Sequence, residues 1–251
     1  MKIYMFHLKQ LLLTACAILT LCVCITAGTV LPTVGSVRLL PIYSVDTSEK
    51  TIALTFDCAW GDADTDKILQ VLDQCGVKAT FFVTGDYVDR CADSVKKFHA
   101  AGHEIANHSD VHPHVNNLSV ADLTADTNAC SAKIKAITGT APTLYRAPYG
   151  EYNDKVIETV NNLGYRFIQW DCDSIDYKNP SAEEMQTRIH KKVQNGSILL
   201  FHTGTENTAS ALGGILADLQ AQGYTFKPVG QLIYKEGFVI DHAGRQRKMR
   251  N

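Results

Sequence analysis

A handful of side chains in this sequence are of kinds that move protons or hold metal ions, and each follows a short apolar run. Asp57 closes the run 52–56, His108 follows Ala106 and Asn107, Arg146 follows Tyr145, Asp171 follows Trp170, and His202 follows the run 198–201. His112 adds a second imidazole four residues after His108. On one helical turn that spacing brings two rings to one side, at a separation a metal ion can bridge. Asp57 would stand at the centre of such a site, and His202 as a general acid would serve proton transfer. Singly, each has a plainer explanation: a turn-starting Asp, a His-rich polar loop that also holds His114, a surface Arg beside Ala147-Pro148-Tyr149-Gly150, a satisfied strand-end His. Their recurrence at strand ends carries the argument, because all strand C-termini of a parallel βα architecture share one face.

The elements that would position them can be read from periodicity. Ile68, Leu69, Leu72 and Cys75 form a helical stripe ending at Gly76, before the apolar run 79–83. Comparable stripes end at Gly102, Gly139, Gly164, Gly196 and Gly223, each followed by a short strand-like run. Ser119 with Asp122, and Ser181 with Glu184, read as helix starts of the capping-box kind. Alternation of this sort predicts parallel βα units and an α/β fold. A hairpin is expected to lead in, with 37–45 and 52–56 joined by the polar turn 46–50. Six or seven strands then fit an incomplete (β/α) barrel better than a flat sheet.

The chain has 251 residues, 45% hydrophobic and 20% charged, with a formal net charge of -2. That suffices for one sizeable core and gives no electrostatic reason to expect nucleic acid as a partner. Residues 1–33 differ in character, with Lys2 and Lys9 ahead of an apolar segment of about 20 residues, long enough for a signal peptide or a membrane anchor. Its basic flank predicts an exported, extracytoplasmic domain over 34–236, secreted or tied to the membrane by that segment. A basic tail is expected over 237–251, with 245–251 frayed, and the chain is expected to be a monomer. Export permits disulfides, but Cys58, Cys75, Cys91, Cys130 and Cys172 are odd in number and their spacing fixes no pairing.

Taken in order, Thr55-Phe56-Asp57-Cys58-Ala59-Trp60-Gly61, the His108 to His112 segment, Arg146-Ala147-Pro148-Tyr149-Gly150, the acidic stretch 171–177 and Leu200-Phe201-His202 resemble the polysaccharide deacetylases of the NodB-homology type, carbohydrate esterase family four. The resemblance runs from about Lys50 to Gly230 and leans towards the bacterial sporulation and cell-wall subgroup. It implies a distorted (β/α)7 barrel, one divalent metal ion with zinc expected, and hydrolysis of N-acetyl groups on a cell-wall polysaccharide, peptidoglycan first. It also implies roles. Asp57 would be the base, oriented by Arg146; His202 would be the general acid, tuned by Asp176; His108 and His112 would hold the metal. Leu200 would meet the acetyl methyl, the Tyr149 N–H would face the oxyanion, and Tyr177 would stand in for a Trp. Cys58 occupies the place of the family's metal-ligating Asp. A thiolate ligand at Cys58 is the first expectation and Asp62 the fallback. A buried inert thiol without metal is the remaining reading, which would make the chain a catalytically impaired wall-binding protein.

Overall fold

The structure is a computed structural model that describes residues 38–249; the apolar segment 1–33 lies outside the described residues. Its organising element is β2 (Thr51–Cys58), in which all eight residues are buried. A run of β-branched and aromatic side chains flanked by strands on both sides reads that way. Around it stand β3 (Thr80–Val83), β4 (Glu104–Asn107), β5 (Leu144–Tyr145), β6 (Arg166–Phe167), β7 (Cys172–Asp173) and β8 (Ile198–His202), in the order β6-β5-β4-β3-β2-β8-β7. Every pairing in this sheet is parallel, and β9 (Thr225–Phe226) adds to the start of β2. The curled parallel sheet fits a distorted (β/α) barrel, as the alternation predicts.

Strand parity divides the core in two. Ile52, Leu54, Phe56 and Cys58 belong to the cluster beneath the helices, with Ile68, Leu72, Phe81 and Phe98. Ala53 belongs to the inner cluster with Phe82, Ala106 and Ile198. Side chains alternate along a strand, so Thr55 and Asp57 share the inner face with Ala53. In the outer layer Phe56 stacks on Phe81 at 4.9 Å and Phe81 on Phe98 at 3.9 Å, contacts worth about 0.5–1.5 kcal/mol each beyond area burial. The helices begin as their residues dictate. The Ser119 side chain accepts from the Asp122 N–H ahead of Val120–Thr138, and Ser181 with Glu184 forms a complete capping box ahead of Ala182–Lys192.

Two expectations are corrected. No hairpin leads into β2: β1 (Ser44–Val45) pairs in parallel with β11 (Arg245–Lys248), which pairs antiparallel with β10 (Phe238–Ile240). β2 has no edge to offer β1, since β3 and β8 already flank it. Residues 245–249 of the basic tail do not fray either, because Gln246 is fully buried and exchanges hydrogen bonds with the Tyr234 backbone. Among the described residues no helix is long and apolar enough to cross a membrane, and Cys58, Cys75, Cys91, Cys130 and Cys172 are all free thiols.

Candidate active site

The C-terminal ends of the strands enclose a cleft of about 380 Å³ whose lining includes Asp57, His108, His112, Leu200 and His202. Asp57 and His202 are direct register partners on β2 and β8, and Thr55 and Leu200 are the pair below them. Parity therefore turns all four to one face. Arg146 follows β5 and extends its ladder through a bond from its N–H to the Asn107 carbonyl. Its side chain is fully buried beneath the cleft, with the guanidinium over the Phe82 ring at 4.0 Å. Nη1 donates to Asp57 Oδ1 at 2.6 Å and to Thr55 Oγ1 at 2.9 Å. Burial alone would push the Asp57 carboxyl up, but the Arg146 charge and hydrogen bond, helped by the neighbouring histidines, hold it below the ordinary carboxylate value.

His108 is set by the strand before it, its N–H bonding the Val83 carbonyl. Its Nδ1 lies 2.9 Å from the Arg146 carbonyl. A carbonyl only accepts, so Nδ1 carries the proton and Nε2 keeps a lone pair. That lone pair lies 3.6 Å from Asp57 Oδ2, past hydrogen-bond length. His112 stands 5.1 Å from His108, ring centre to ring centre. Burial lowers the pKa of both imidazoles, that of His112 to about 4, which keeps them neutral as metal ligands must be.

The segment 108–112 is not the helical turn that its spacing suggested. Ser109 has φ 71° and His112 φ 56°, left-handed conformations that few side chains adopt without support. Support comes from Asn107, whose Oδ1 accepts the Ser109 N–H, from Ser109 Oγ, which accepts the His112 N–H, and from Asp126, which accepts the N–H groups of Asp110 and Val111.

On the opposite wall His202 Nδ1 donates to Asp176 Oδ1 at 2.7 Å, while Asp176 Oδ2 accepts from the His202 N–H and from Thr208 Oγ1. Burial works against a charged ring, but the hydrogen bond and charge of Asp176 outweigh it and raise the His202 pKa. Trp60 stacks on the ring at 5.1 Å and Tyr177 meets it edge-on at 5.5 Å. Arg90 fixes the Trp60 loop by donating to the Ala59 and Trp60 carbonyls. Gly204, at φ 75°, lets the loop after His202 press on that loop, since a Cβ there would lie 2.6 Å from the Gly61 nitrogen. The Tyr149 ring, 60% exposed, lies 4.5 Å from His112 at the far rim.

Three expected residues are not brought to this cleft. The Cys58 side chain is wholly buried in the helix-facing cluster, one parity step from Asp57, and burial raises its thiol pKa well above the ordinary value. The expected position in the cleft is therefore corrected: the thiol faces the core. Asp62 accepts from Ser94 Oγ at 2.7 Å and so is turned to the helix Ala92–Ala100. Asp171 precedes β7 and accepts the N–H of Ile198 at the start of β8, so it sits at the far end of the sheet. Asp173, one strand residue later on the other face parity from Cys172, lines the cleft instead. Sequence reasoning singled out neither Asp173 nor Trp60; the i+2 relation of Asp173 to Asp171 was the available signal.

The donors suit a divalent ion, since a lone pair facing a carboxylate oxygen with no proton between them is relieved by a cation. Among the described residues, however, no three His, Cys, Asp or Glu side chains already stand in ligating geometry.

Residues 44–168 match the polysaccharide deacetylase family. The chain is similar to peptidoglycan-N-acetylmuramic acid deacetylase PdaA of Bacillus subtilis, 34% identical over 77% of this chain and 75% of that one. It is also similar to a peptidoglycan-N-acetylglucosamine deacetylase of Bacillus cereus, 35% identical over 76% and 92%. Among solved structures, wild-type BA3943 of Bacillus anthracis, described as a CE4 family pseudoenzyme, superposes with a TM-score of 0.74 at 31% identity, covering 76% of this chain and 68% of that one.

Proposed function

The chain belongs to the polysaccharide deacetylase family of hydrolases, and we propose that it removes N-acetyl groups from a cell-wall polysaccharide outside the cytoplasm, using the distorted (β/α)7 barrel its family resemblance implies. Peptidoglycan amino sugars are the first substrates to consider, given what the similar Bacillus enzymes are named for. The observation that carries this reading is the pairing of Asp57 and His202 across one cleft, each backed by its own buried charge, Arg146 and Asp176.

His108 and His112 would hold a divalent ion, zinc first, which when bound would polarise the acetyl carbonyl and acidify water. Asp57 takes the proton of the attacking water at Oδ2, while Arg146 keeps the carboxyl ionised. His202, protonated at Nε2 because Nδ1 is committed to Asp176, delivers a proton to the departing sugar nitrogen. Water is consumed, the C–N bond breaks, and acetate and an amine result. Leu200 offers an apolar floor to the acetyl methyl. The Tyr149 N–H shares the developing oxyanion, a contribution of about 3 kcal/mol for such donors. Tyr177 and Trp60 wall the sugar on the acid side.

The test is acetate release from N-acetylated peptidoglycan fragments, with zinc supplied and withheld. Release above the level of an Asp57→Asn control is expected, and none from any N-acetylated glycan would end the reading. One observation favours a second reading: Cys58 lies away from the cleft, and wild-type BA3943 is a pseudoenzyme. On that reading the full-length chain cosediments with insoluble peptidoglycan and releases no acetate.

A further inference from the structure

We infer that Arg90 is a positioning residue for the proton-delivering side of the cleft: it holds the Ala59 and Trp60 carbonyls so that the Trp60 indole stays stacked on the face of His202, where it favours the charged ring. The inference rests on the reading of His202 as the acid and gives that acid a second partner besides Asp176.

The two residues meet because their strands do. β2 and β3 are parallel neighbours whose last register pair is Cys58 with Val83, and the Thr84 N–H extends the ladder by donating to the Cys58 carbonyl. Beyond that pair β2 gives way to the loop of Ala59, Trp60 and Gly61, while β3 gives way to the helix Gly85–Arg90, whose N-cap Thr84 accepts the Tyr87 N–H. Arg90, the last residue of that helix, reaches back to the loop. Nη2 donates to the Ala59 carbonyl and Nη1 to the Trp60 carbonyl, both at 2.9 Å, and Asp86 Oδ2 holds Nε at 3.2 Å. A planar guanidinium gripping two successive carbonyls fixes both peptide groups, which the point charge of a lysine does not do. The Arg90 and Asp86 side chains are 46% and 61% exposed, so their ion pair adds little to stability. What the fork secures is the direction in which the Trp60 side chain leaves the loop.

That direction matters to His202. The indole and imidazole centres are 5.1 Å apart with their planes 18° from parallel. An aromatic face carries partial negative charge, so it attracts an imidazolium lying over it and is far less sensitive to the neutral ring. Asp176 acts on the same ring at its Nδ1 edge. The other ionisable groups around His202 are Asp57 on β2, Asp173 on β7, Tyr177 beside Asp176, and His108 and His112 across the cleft. Burial discourages the charge on His202, while Asp176, Asp57 and Asp173 favour it. Trp60 shuts out some water, which also works against the charge. Because the indole remains half exposed, its attraction is the larger of the two effects. Releasing the stack should therefore lower the pH at which His202 gives up its proton by roughly half a pH unit.

The experiment follows tryptophan emission of the full chain against pH, which needs neither metal nor substrate. A protonated imidazole quenches a stacked indole more strongly than a neutral one. Emission of the unsubstituted chain is expected to fall as pH is lowered, with a midpoint above 6.5, and the change should vanish in His202→Ala. The chain has two tryptophans, Trp60 and Trp170, and Trp60→Phe should remove the change while leaving Trp170 to emit. Arg90→Ala should shrink the change and lower its midpoint by roughly half a pH unit, with the alkaline limb of kcat/KM moving alongside; Arg90→Lys should fall between Arg90→Ala and the parent. A purely structural role would lower the melting temperature and leave the midpoint where it was, which would overturn the assignment. So would emission that does not titrate in the unsubstituted chain, or that still titrates in His202→Ala or Trp60→Phe. Acetate release is read separately. Emission coupled to His202 through Arg90, without acetate, would end the deacetylase reading and leave the positioning role standing, whereas acetate release with emission indifferent to Arg90 would do the reverse.

Discussion

Two carboxylates, one half-buried and one buried, at opposite ends of the same parallel sheet show how a site differs from a scaffold. At the N-terminal end Asp171 accepts the Ile198 N–H, the Ser197 hydroxyl and the Gln194 amide, all neutral donors. Burial raises its pKa in spite of them. At the C-terminal end Asp57 accepts from a buried guanidinium, leaves its second oxygen towards a histidine, and has its pKa lowered. Neutral donors satisfy a carboxylate without fixing its charge. A buried cation fixes the charge and leaves an oxygen to act.

The largest test of this contrast is catalytic. Asp57→Asn and His202→Ala should each lower acetate release by about 10²–10⁴-fold while the melting transition stays cooperative, general acid and base terms being of that size. Near wild-type turnover in either would remove the roles assigned above. Next comes stability: Arg146→Met strands the Asp57 charge in the interior and should cost about 3–5 kcal/mol in denaturant unfolding, with activity lost as well. At the other end Asp171→Asn should cost only about 1–2 kcal/mol, a mismatched hydrogen-bond set rather than a stranded charge, with kcat unchanged. Equal losses at the two ends would erase the distinction.

The smallest effects are in pH. Asp57, with its folded pKa below the ordinary 3.8, contributes stability that is present above 3.8 and lost as pH falls through the folded value. Asp171, raised above 3.8, acts oppositely: its contribution is full below 3.8 and lost as pH rises through the folded value. Acid unfolding of Asp171→Asn should therefore begin at higher pH than in the parent, and that of Asp57→Asn at lower pH. His202 has a raised pKa, so its pairing stabilises fully below 6.5 and fades as pH rises through the folded value. Asp176→Asn should move the alkaline limb of the kcat/KM profile to lower pH; an unmoved limb would detach Asp176 from the acid.

What could be read from the sequence was local. The βα alternation, the two Ser caps and the strand-end positions of Asp57, His108, Arg146 and His202 follow from periodicity and punctuation a few residues wide. Errors arose where one residue of register or a distant partner decided. Ending the strand at Asp57 freed Cys58 to turn into the cleft, but β2 continues through Cys58 and parity sends the thiol to the core. Asp171 was expected after a strand, but β7 begins only beyond it, at Cys172, which leaves Asp171 beside the start of β8 and brings Asp173 to the cleft. The His-rich segment carried helical spacing, yet its backbone N–H groups donate to Asn107 and Asp126, which hold it with left-handed turns at Ser109 and His112 instead. No local pattern could reveal that β1 would choose β11.

That last pairing sets a clock. Ser44 and Val45 have as strand partners Arg245 and Gln246, which follow them only after nearly the whole domain has been made. Loop-closure entropy has to be met across nearly the whole domain before this contact forms. Until then the inner cluster holding Ile42 and Val45 is exposed on one side. The domain is therefore unfinished, and open to proteases at that seam, until β11 is in place. Removing 245–249 should show up as slow refolding and early proteolytic nicking near residue 45, with the catalytic rim left untouched in design.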